Sequence, residues 1–118
     1  MHFNLNWSIN KDPMKTAILE KEEILHKLHQ LKSEFKKFGV KKVGLFGSFV
    51  RNSQTPDSDI DILVEFERDK KTFDNFMQLS FVLDQALPYP VELVTKESLS
   101  PYLAPKILQE VEYVTNSD

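Results

Sequence analysis

Asp59 and Asp61 stand two residues apart at the head of an alternating run, Asp59-Ile60-Asp61-Ile62-Leu63-Val64-Glu65-Phe66. In an extended strand, residues i and i+2 project from the same face, so the two carboxylates stand side by side. Like charges that close raise each other's pKa unless a cation lies between them. No Cys occurs in the chain and no His lies nearby, so a cation held here has only hard oxygen ligands. That donor set suits Mg²⁺ or Mn²⁺. The alternative is a solvated pair at the start of a strand, with both acids facing water. A third acid, Glu92, sits in the short apolar run Val91-Glu92-Leu93-Val94. If that run pairs beside the first, its carboxylate completes a triad. Three acids around two metal ions suit in-line displacement at phosphorus, one ion activating the attacking hydroxyl and the other holding the leaving group.

Upstream, Gly47-Ser48 falls where a β-rich run, residues 40–46, meets a short helical turn. A helix start offers unpaired N–H groups to phosphate oxygens, Gly lets the backbone come close, and Ser48 adds a hydroxyl. Arg51, one turn on, brings a guanidinium to the same place. A Gly-Ser pair alone is usually only a turn. Its value here lies in the spacing: ten residues separate Ser48 from Asp59, in a strand–turn–loop–strand context. Neither the Gly-Lys-Ser/Thr of a Walker loop nor a Gly-x-Ser-x-Gly nucleophile elbow is present.

The elements that must position these groups follow from periodicity. Residues 15–38 are predicted to form one long amphipathic helix, with Ile24, Leu28, Leu31, Phe35 and Phe38 as its apolar stripe and Gly39 as its stop. Residues 40–46, 60–66 and 91–94 read as strands, with Ile60, Ile62, Val64 and Phe66 sharing one face of the second. Residues 72–87 read as a helix, ended by Pro88 and Pro90, and a last helix is expected over about 105–112. The fold class is therefore α/β: one domain over residues 14–118, with a mixed sheet of three to four strands flanked by helices. Residues 1–13 read as a polar extension.

Bulk properties narrow the partners. The chain has 118 residues, a net charge of −3, and 41% hydrophobic against 28% charged residues. That balance gives no chain-wide basic footprint for nucleic acid, so no direct nucleic-acid binding is expected. No apolar stretch approaches the roughly 20 residues that span a bilayer, and the start of the chain lacks the pattern of a signal peptide. A cytoplasmic protein without a membrane partner is the expectation.

The stretch Val43-Gly44-Leu45-Phe46-Gly47-Ser48, then Arg51, then Asp57-Ser58-Asp59-Ile60-Asp61-Ile62-Leu63-Val64-Glu65-Phe66 resembles the signature of minimal nucleotidyltransferases, within the polymerase-beta nucleotidyltransferase superfamily. Val91-Glu92-Leu93-Val94-Thr95 extends the resemblance to the position of that family's third acid. The resemblance implies a polymerase-beta-like core in which Gly47 and Ser48 hold the triphosphate of ATP, assisted by Arg51. It implies catalytic, metal-ligating roles for Asp59, Asp61 and Glu92, with two Mg²⁺ ions. It also implies AMP transfer to a tyrosine of a HEPN-domain toxin, which makes the enzyme an antitoxin. Two other outcomes remain open: neutralisation by complex formation alone, and transfer to a small-molecule hydroxyl. The chain departs from the family pattern twice. Arg51-Asn52-Ser53 stands where Arg-Gly-Glu is common, and Glu92 stands where Asp is common.

Overall fold

The structure, a computed structural model, describes residues 2–4 and 20–114. The three apolar runs become the central strands β2 (Val40–Phe46), β3 (Ile60–Phe66) and β4 (Val91–Thr95). Two three-residue strands, β1 (His2–Asn4) and β5 (Glu112–Val114), close the edges and give the order β1-β4-β3-β2-β5. β3 and β4 run parallel, and the other three neighbouring pairs are antiparallel. The mixed sheet with flanking helices is the architecture expected. The strand total is five among the described residues rather than three or four, because three residues are too few to leave a periodic signal. β1 falls within the stretch read as an extension. β5 begins at Glu112, where the last helix was expected to reach.

The helices are α1 (Lys21–Gln30), α2 (Lys32–Lys37), α3 (Ser48–Arg51), α4 (Phe73–Ala86) and α5 (Ala104–Glu110). Where one helix over 15–38 was expected, the described part is two, and residues 15–19 lie outside it. The join is Leu31, whose N–H donates to the Leu28 carbonyl at 3.1 Å, three residues back rather than four. The chain tightens there and resumes, with no Gly or Pro to announce it. Other ends have local causes. The Glu23 side chain accepts the Glu20 N–H at 2.9 Å, and the Thr72 hydroxyl accepts the Asn75 N–H at 3.1 Å, each satisfying a donor that a helix start leaves over. No helix among the described residues is long and apolar enough to cross a membrane.

Alternation along the strands sorts the side chains into two unequal layers. On one face, Val43, Leu45, Ile60, Ile62, Val64, Val91 and Leu93 meet Ile24 and Leu28 of α1, Phe35 of α2, and Phe76, Leu79 and Leu83 of α4. This is the main core, and burying each such side chain stabilises by about 1.5–3 kcal/mol. On the other face, Phe46, Leu63 and Val94 form a small cluster, covered by Leu99, Ile107 and Val111. Asp61 and Glu92 have the parity of this second face. The acids therefore share a side with α5, away from the large helices.

Candidate active site

Strand direction gathers the site. β2 ends where β3 begins, because the two are antiparallel, and Phe46 lies opposite Asp61. β4 runs parallel to β3, so its start lies at the same edge, with Glu92 directly abreast of Asp61. The turn after β2 and the acids opening β3 and β4 thus converge at one end of the sheet. Pairing of the third run beside the second, on which the triad depended, is met by this register.

Glu92 lies abreast of Asp61 across the parallel pair, and this setting favours a proton on the Asp61 carboxyl. Burial does most to favour that proton. The Glu92 hydrogen bond and charge and the charge of Asp59 add to it, and Arg51 opposes it. Together they push Asp61 up to about 8, from an ordinary value of 3.8. Asp59, Asp61 and Glu92 are all half-buried. A partly buried carboxyl that favours its proton beside two other acids is a place where a divalent cation can replace that proton. The oxygen-only donor set fits Mg²⁺. Among the described residues, no three acidic or imidazole side chains already stand at metal-ligand spacing. The preformed pair is Asp61 with Glu92, and Asp59 acts on it through charge.

Gly47 has φ +84°, a left-handed conformation that favours glycine. A Cβ built there would overlap Asp61 Oδ2, so the turn lies directly against the acid. Ser48 opens α3, half-buried at the head of its single turn. Asn52 closes that turn at φ 60°. This is where the family pattern has Gly, and Asn is among the few other residues that tolerate the conformation. The departure at Asn52 therefore leaves the loop's backbone geometry attainable.

A residue not singled out in the sequence completes the arrangement. Glu110, the last residue of α5, accepts the Gly47 N–H through Oε2 at 2.7 Å. Arg51 Nη1 donates to its Oε1 at 3.0 Å and its Oε2 at 3.1 Å. Gly47 and Arg51 converge on one anion, and it is the protein's own carboxylate. Glu110 lies 63 residues from Gly47 in sequence, and no local motif marks it. The one signal was an acid at a helix C-terminus, where the dipole disfavours negative charge.

Residues 28–114 match the family model described as nucleotidyltransferase domain. The chain belongs to that family. It is 42% identical over 99 residues to the protein adenylyltransferase MntA of Thermococcus cleftensis, covering 83% of this chain and 99% of that relative. Among solved structures it resembles a proposed minimal nucleotidyltransferase, with a TM-score of 0.70 and 28% identity over 82% of this chain and 98% of that one. It also resembles a chain of a toxin–antitoxin complex with AMP-PNP, with a TM-score of 0.62 and 25% identity over 79% and 73% of the two chains. Nucleotidyl transfer is thus this enzyme's reaction class.

Proposed function

We propose that this nucleotidyltransferase moves AMP from ATP to a tyrosine hydroxyl on a HEPN-domain toxin and so acts as its antitoxin. The observation that carries the reading is the Asp61–Glu92 pair, registered across parallel strands and set against the Gly47 turn. Likeness to a protein adenylyltransferase supports a protein acceptor, and likeness to a toxin–antitoxin chain with a nucleotide analogue supports the partner class.

In this reading Asp59, Asp61 and Glu92 would hold Mg²⁺, which would supply charge neutralisation at the phosphates and acidify the attacking hydroxyl. Gly47, through its N–H, Ser48, through its hydroxyl, and Arg51, through its guanidinium, hold the β- and γ-phosphates. The tyrosine oxygen attacks the α-phosphorus in line. The new O–P bond forms as the bond to pyrophosphate breaks, and the phenolic proton passes to Glu92. Glu92 is one methylene longer than the Asp common at that position, and the register that sets it abreast of Asp61 supports its role as the third acid.

Label placement tests the reaction type. With Mg²⁺ present, ATP labelled at the α-phosphate is expected to leave its label on the acceptor protein, and ATP labelled at the γ-phosphate is not. Retention of the γ-label would mean phosphoryl transfer, and would overturn the reading.

A further inference from the structure

The donors assigned to the triphosphate are already engaged. One carboxylate takes both the Gly47 N–H and the Arg51 guanidinium, through contacts of 2.7, 3.0 and 3.1 Å. A phosphate oxygen would ask for the same two donors in the same place, and they cannot fully serve both anions. We infer that Glu110 is a resident competitor of the triphosphate, a built-in anion that keeps the phosphate turn closed until nucleotide displaces it. This rests on the nucleotide-site reading above.

The surroundings of Glu110 fit a group that is held by the site rather than by its own element. α5 has seven residues, none of them buried, and reaches the sheet mainly through Ile107. Val111, just beyond, seats against Gly44, where a Cβ would stand 2.5 Å from its Cγ2. The backbone beneath Glu110 is thus moored while its side chain retains some access to solvent, at 16% exposure. Rotation of that side chain frees both donors without moving the helix. At the C-terminus of α5 the helix dipole repels the carboxylate, and Arg51 and Gly47 offset that repulsion. Once a more highly charged anion takes Arg51, little else retains Glu110 in place. The contact also shields the turn from weaker anions. Only a ligand that brings several negative charges together with its own cation outcompetes it, which favours a metal-bound triphosphate over inorganic phosphate.

Two substitutions separate occupancy from charge at a distance. Glu110→Gln removes the charge at nearly constant shape. Glu110→Asp keeps the charge but is too short to reach both donors. If Glu110 competes by occupying the turn, both variants bind Mg·ATP on the order of tenfold more tightly in calorimetry, the scale of a charge-assisted hydrogen bond. Both should also gain measurable affinity for inorganic phosphate. If only the Gln variant binds more tightly, the effect is long-range repulsion and occupancy is wrong. If both bind equally or less tightly than the wild type, Glu110 positions the turn instead and the inference fails. If neither variant nor the wild type binds Mg·ATP, the nucleotide-site reading itself falls, and the inference with it.

Discussion

Asp61→Asn is expected to abolish nucleotidyl transfer while stabilising the metal-free protein at alkaline pH. The loss should be on the order of 10³-fold or more, the scale seen when a group acting in the transition state is removed. Asn keeps the shape of the acid but cannot supply a charged ligand to Mg²⁺. Stability should move the other way. The folded protein holds the Asp61 proton up to about pH 8, against 3.8 for a free carboxyl, so the folded state binds it more tightly than the unfolded state. That stabilisation is complete below the lower value and is lost as the pH climbs through the higher one. Asn is neutral throughout, so its advantage over Asp should grow from about pH 4 and level off above about 8. Denaturant titrations of both proteins in EDTA across that range would measure it. An Asn protein that is less stable at every pH would mark Asp61 as a structural group.

Leu28→Ala should cost about 2–5 kcal/mol of folding stability, the range for emptying a large site in a packed core. Leu28 is fully buried in α1, within the main cluster formed with α4 and the sheet. It also lies on the apolar stripe that runs from Ile24 to Phe38. A lower denaturation midpoint with an unchanged slope would give the stability change directly. A loss below about 0.5 kcal/mol, with partner binding abolished, would instead make the stripe an interface.

The sequence was most informative where local pattern and long-range pairing agree. Residues 40–46 form a β-rich run and residues 60–66 alternate, and both strands occupy those bounds. The candidate acids were legible from spacing alone, because Asp59 and Asp61 need only the geometry of one strand to share a face. Glu92 was a conditional case. Its place beside Asp61 depends on parallel pairing of β3 with β4, which nothing in residues 91–95 encodes. Two features left no local trace. The tightening at Leu31 falls at a residue with no Gly or Pro beside it, and helix propensity runs through it unbroken. Glu110 reaches Gly47 only because β5 folds back along β2, with Glu112 opposite Leu45. Where a function needs an anion site and its competitor, single-segment patterns can disclose the first, while the second appears only in the fold.

Intact-mass spectrometry of the partner gives the most direct reading of transfer to a protein. A HEPN-domain toxin would be incubated with the enzyme, ATP and Mg²⁺, and weighed. The expected result is one or more added AMP units on the partner with wild-type enzyme, and none with a variant carrying both Asp59→Asn and Asp61→Asn. A stable complex with no mass change, and a partner neutralised equally well by that double variant, would contradict it.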